Sequence, residues 1–172
     1  MNKAFFSLAF IISQLIFAQS GNRFAINDLL IKFPKEVELR NLNKVSGQYL
    51  FVDKEKNNIQ VSVRNASKMD FYNPELNKAQ LLEAFYKWDF DYWKSNSVGA
   101  EVKEISKDLD KDEILWEVTV KEGKTIFLFG IIENKLISVS INNNNISDEE
   151  NINFITKVYR QISRYNDKKH KD

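Results

Sequence analysis

Residues 113–141 alternate and reverse so tightly that an antiparallel sheet is the one arrangement that accommodates them. Ile114, Trp116, Val118 and Val120 alternate with Leu115, Glu117, Thr119 and Lys121, the two-residue period of a strand with distinct faces. Glu122-Gly123 then reads as a tight turn. Residues 125–132 are almost wholly apolar, which predicts a central strand buried on both faces. Glu133-Asn134 turns the chain again, and Ile137, Val139 and Ile141 share a face beyond it. Parallel neighbours need a crossover of roughly a dozen residues or more. The short connections here therefore impose an antiparallel meander.

The flanking sequence extends this sheet and adds two helices. Residues 49–52 are β-prone, residues 53–58 form a polar turn, and Ile59, Val61 and Val63 alternate with Gln60, Ser62 and Arg64. That pair reads as a hairpin with one wet face. Residues 24–33 are apolar with no clear period and fit a strand or a short helix; Pro34 is expected to end them, and residues 37–42 to form a short strand. Val102 and Ile105 indicate another strand, followed by a charged turn at residues 108–112. Asn73-Pro74 has the chemistry of a helix start, and the helix is expected to run to about Lys94. Leu81, Ala84, Phe85, Trp88 and Tyr92 share its main apolar face, with Leu82, Tyr86 and Trp93 beside them. Glu83, Lys87, Asp91 and Lys94 make a narrow wet stripe. Ser147 followed by Glu150 forms a capping-box pattern for a final helix. Its residues Ile152, Ile155, Val158, Tyr159 and Ile162 should pack across the sheet. The expected fold is α+β: an antiparallel sheet carrying a long aromatic-rich helix and a C-terminal helix. It forms one domain over residues 19–166, with a charged tail at 167–172.

The first eighteen residues read differently. Met1-Asn2-Lys3 is a short positive start, residues 4–17 are apolar, and Ala18 is small, the three regions of a cleavable secretory signal. The apolar run is shorter than the roughly 20 residues that cross a bilayer, and Ser13 and Gln14 interrupt it. Cleavage is expected after Ala18, with Gln19 or Ser20 as alternative positions, leaving no membrane anchor. Phe17-Ala18-Gln19 resembles leader ends common in the Bacteroidota, which implies a periplasmic or extracellular protein of a Gram-negative cell. The chain has no cysteine, so a disulfide cannot staple it, and its stability must come from packing. Thiol catalysis and lipidation at an N-terminal cysteine are removed with it. Lys and Arg number 25 against 24 Asp and Glu, and one of the cations, Lys3, belongs to the leader. A neutral domain has no long-range field for phosphate backbones, so no nucleic-acid partner is expected.

Motifs that carry chemistry are sparse. The single histidine is His170, too close to the chain end to be held as a general base. Asp108, Asp110 and Asp112 open like a calcium loop, but Glu113 stands where glycine is required and Thr119 where a bidentate glutamate belongs. The run 142–145 with Asp148, Glu149 and Glu150 reads as a solvated loop and an acidic helix start. No metal and no cofactor are expected. Glu117 with Glu133, and Asp89 with Asp91, are the carboxylate pairs a hydrolase could use. The most unusual segment is residues 85–93, Phe-Tyr-Lys-Trp-Asp-Phe-Asp-Tyr-Trp. Either its rings fill the core, or Tyr86, Phe90 and Trp93, off the main face, line a groove for an apolar ligand or a protein partner.

The order of elements resembles the Mog1/PsbP-like fold. The likeness is carried by the apolar segment ending in Phe33-Pro34, by residues 116–124 (Trp-Glu-Val-Thr-Val-Lys-Glu-Gly-Lys) and by residues 154–162 (Phe-Ile-Thr-Lys-Val-Tyr-Arg-Gln-Ile). The resemblance implies an α/β/α sandwich and a non-enzymatic protein, since the group includes extrinsic photosystem subunits, a GTPase-binding protein and bacterial envelope proteins. The expected function is that of an exported, non-enzymatic binding or accessory protein of the cell envelope. The alternatives are a small carboxylate-dependent hydrolase and a secreted protein inhibitor.

Overall fold

The computed structural model describes residues 20–142 and 145–165. The expected leader, the charged tail and His170 lie outside the described residues, as do positions 143 and 144 of the asparagine run. Nine strands and two α-helices follow in the order β1 (Ser20–Ile26), β2 (Leu29–Asn43), β3 (Gln48–Asp53), β4 (Asn58–Asn65), α1 (Lys78–Asn96), β5 (Glu101–Asp108), β6 (Glu113–Val120), β7 (Gly123–Ile132), β8 (Lys135–Asn142), α2 (Asp148–Arg160) and β9 (Ser163–Arg164). One sheet holds them all, in the order β1-β2-β3-β4-β8-β7-β6-β5, with β9 against β2. Every pairing is antiparallel. The sheet is thus two four-strand meanders joined where β4 meets β8.

The meander read from residues 113–141 is present, and β7 is buried on both faces from Ile126 to Ile131. Its first turn is shifted by one residue. Val120 pairs with Gly123, so Lys121 and Glu122 make the connection. The second turn is Glu133-Asn134, between paired Ile132 and Lys135.

The ambiguous N-terminal segment is strand, not helix, and Pro34 does not end it. β2 runs straight through the proline because no ladder bond is needed there. Its first half pairs with β1 as far as Lys32, opposite Arg23, and the next β1 pair is Val37 with Gly21. Pairing with β3 begins only at Val37. Pro34 falls in this break, where a residue without an N–H costs the sheet nothing.

Helix α1 also starts later than Asn73-Pro74. Asn73 instead holds a separate turn, its side chain accepting from the Glu75 N–H at 3.0 Å. The cap is Asn77, which accepts from Gln80 N at 2.9 Å while the Gln80 side chain accepts from Asn77 N at 3.0 Å. A reciprocal box satisfies two amides at once, which is why it wins over the proline. The Ser147–Glu150 box of α2 is as expected.

The helices lie on opposite faces of the sheet, giving two cores. On the α2 face, Ile155, Val158 and Tyr159 pack over Ile31, Phe33, Phe51, Ile59, Val61, Ile126, Leu128, Val139 and their neighbours. Gly130 admits this helix closely, because a Cβ there would overlap the Tyr159 ring. On the α1 face, Leu82 and Phe85 meet Trp116, Phe127, Phe129 and Ile131. Trp116 stacks on Phe127 at 4.4 Å, and Phe85 on Phe129 at 4.2 Å. These ring pairs supply much of the buried area that no disulfide supplements. At the β3–β4 turn, burial pushes the Asp53 carboxyl up, but Lys35 at 2.6 Å and the Asn57 amide at 2.7 Å outweigh it and hold the group below its ordinary range.

Candidate functional site

Helix α1 packs on β5, β6 and β7 and leaves the same face of β3, β4 and β8 outside its main footprint. A cleft of about 520 Å³ opens between the C-terminal half of α1 and that face. Alternation explains its floor. Ile59, Val61 and Val63 of β4 and Ile137, Val139 and Ile141 of β8 turn toward α2, so the intervening residues turn toward the cleft. The register then sets like beside like, with Gln60 opposite Ser140, and Asn58 opposite Asn142. Gln48 and Leu50 of β3 and Thr125 and Phe127 of β7 extend the floor, and Trp88, Asp89, Tyr92 and Trp93 form the helical wall.

Two opposite charges lie within the cleft. Arg64 Nε donates to the Ser46 carbonyl at 3.1 Å and to Ser62 Oγ at 3.2 Å, and its guanidinium lies over the Trp88 ring, 5.4 Å from the centroid. Burial lowers its pKa, against the pull of Asp89. Burial likewise pushes the Asp89 carboxyl up to about 6, although the Arg64 charge and the Trp93 indole hydrogen bond oppose it. Desolvation wins in both groups, as in sites that hold ionisable groups away from water. Asn142 Nδ2 donates to Thr125 Oγ1 at 3.2 Å. Ser140 is only 4% exposed, and neither its hydroxyl nor the Gln60 amide has a side-chain hydrogen-bond partner among the described residues.

The three aromatic residues singled out from the sequence fall on two sides of α1. Trp93 lines the cleft, 6.2 Å from the Phe127 ring and 6.3 Å from Tyr92, which is 54% exposed. Tyr86 and Phe90 sit on the neighbouring side, half-buried and 5.3 Å apart, and both reach the Trp116 ring at 5.9 and 6.5 Å. Burial and then Glu104 push the Tyr86 hydroxyl up to about 12. The cleft therefore brings Trp93 together with Trp88 and Tyr92. The carboxylate pairs do not converge. Glu117 lies between Lys103 and Lys124, while Glu133 is at the far turn near Arg164. Asp89 is turned inward and Asp91 outward, where it meets Lys87 at 2.7 Å. In the acidic loop at residues 108–112, Asp108 binds Lys111 and Asp112 binds Lys78. No group of three or more His, Cys, Asp or Glu among the described residues could hold a metal ion.

No family model matches the sequence, and no curated protein matches it. The fold does have a counterpart: the solution structure of cyanobacterial PsbP (CyanoP) from Synechocystis sp. PCC 6803 superposes with a TM-score of 0.59. The match covers 88% of this chain and 96% of that one, at 13% identity. The fold is PsbP-like. At this identity the likeness concerns architecture and brings no ligand with it.

Within the PsbP-like sheet, Trp93 of the cleft's aromatic wall was legible from the sequence, but Trp88 and Tyr92 read as residues of the helix's core face, and the floor was not found. The signal for the floor was present in two places: Gln60, Ser62 and Arg64 alternate with branched residues on β4, and Ser138, Ser140 and Asn142 do so on β8. Each reads alone as a solvent-facing edge. Only the β4–β8 pairing makes them one surface.

Proposed function

We propose that this is an exported, non-enzymatic binding protein of the cell envelope, and that the cleft beside α1 is its ligand site. The single observation that carries the reading is the composition of that cleft: aromatic rings on one wall, amides and hydroxyls on the floor, and an opposed Arg64–Asp89 couple within it. Concave sites with apolar walls and a few placed polar groups are the usual form of small-molecule sites. Export is supported by residues 1–18, with a short positive start, an apolar run and a small residue at Ala18.

Binding is favoured over hydrolysis because Asp89 is the only carboxylate lining the cleft among the described residues. Two-carboxylate glycoside hydrolysis requires a partner about 5–9.5 Å away. The inhibitor alternative calls for a flat apolar patch, whereas among the described residues the exposed large apolar side chains are Val45, Tyr72, Tyr92 and Val98, on different segments.

Intact-mass measurement under native conditions tests both halves of the proposal. Protein recovered from the periplasm should begin at or just after Gln19 and retain a small-molecule adduct from envelope extract, and the Trp93→Ala variant should lose that adduct. Met1 still attached in a cytosolic fraction would sink the export claim. An equal adduct on both proteins would sink the cleft.

A further inference from the structure

We infer that the ligand of this cleft is a neutral saccharide, an inference that rests on the cleft being a binding site at all. The first argument is charge. Among the described residues, Arg64 and Asp89 are the only charged side chains lining the cleft, and they are of opposite sign, so the site has no net field for a phosphate or a cation. The second is hydrogen-bonding capacity. Gln48, Asn58, Gln60 and Asn142 carry amides, each both donor and acceptor, and the buried residue Ser140 adds a hydroxyl. Sugar hydroxyls are also donor and acceptor at once, and they match such a floor. A purely apolar guest would leave the Gln60 amide and the Ser140 hydroxyl unpaired, and buried polar groups without partners are disfavoured.

The third argument is the opposite wall. Trp88, Tyr92 and Trp93 line it, and a pyranose has a C–H face that packs against aromatic side chains while its hydroxyls point outward to the amides. Amphipathic rings of this kind combine large contact area with polar tips. The volume, about 520 Å³, lies in the range of roughly 300–1,000 Å³ that small-molecule sites occupy, enough for a short oligosaccharide.

The chain has three tryptophans, which makes the test direct. Trp88 and Trp93 line the cleft, and Trp116 is fully buried in the core as an internal reference. In a nitrogen-15 correlation spectrum of the mature chain, titration with neutral disaccharides (cellobiose, maltose, lactose and chitobiose, with decanoate as the apolar probe) should move the Trp88 and Trp93 indole signals. For at least one sugar this should occur while Trp116 stays still. Gln60→Ala and Ser140→Ala should each weaken that sugar about tenfold, with the Trp116 signal confirming that the variants fold. Movement with decanoate and with no sugar would overturn the saccharide inference and leave the cleft standing. No movement with any probe would overturn both.

Discussion

Asp89 sits on a helix otherwise rich in rings, and its cost to the fold is predictable. Because its folded pKa of about 6 lies above the ordinary value of 3.8, the folded chain holds the proton more tightly than the unfolded chain. Stability therefore falls as pH rises between about 4 and 6, and the penalty persists above that window. Asp89→Asn removes the charge, and urea unfolding at pH 8 should find it more stable than the parent by about 1–3 kcal/mol, with the gap closed near pH 4. Gly130 carries a steric prediction. Adding a methyl group there drives it into Tyr159, so Gly130→Ala should lower stability by about 1–3 kcal/mol in thermal melts. The loss should shrink when Tyr159 is also cut to leucine, as coupled neighbours require. The sequence drew attention to the aromatic run around Asp89, but it could not say which side of the helix faces the sheet. With apolar residues over most of the wheel, no single stripe points inward.

At the level of elements, the two helices differ in how plainly they announce themselves. Ser147 has one acidic partner at the right spacing and no rival, and its box was legible. Asn73 and Asn77 compete four residues apart, and the deciding residue is Gln80, three beyond Asn77; the matching place after Asn73 is Leu76. Alanine at Asn77 or Ser147 should each cost about 1 kcal/mol, whereas alanine at Asn73 should stay within about 0.5 kcal/mol, measured by chemical denaturation. Pro34 misled for a different reason. Proline ends a strand when both flanks demand hydrogen bonds, and whether they do is a property of register between β1, β2 and β3, which local pattern does not contain.

For the whole molecule, the β6–β8 run and the β3–β4 hairpin were recoverable from short-range signals, whereas the β1–β2 hairpin was not, because residues 24–33 show no clear period. Nor was the pairing of β4 with β8, because about seventy residues separate them and the match of Ile59 with Ile141 is one of many that alternation permits. Protection should follow the same hierarchy. In hydrogen exchange, amides of β4, β7 and β8 should be the slowest and those of the outer strands β1 and β5 the fastest. The cleft straddles that central pairing, with Asn58, Gln60 and Arg64 on one bank and Ser140 and Asn142 on the other. A guest gripping both banks would act as a rivet, because the halves could not part until it had let go. The lifetime of the loaded fold would then be governed by how long the guest stays.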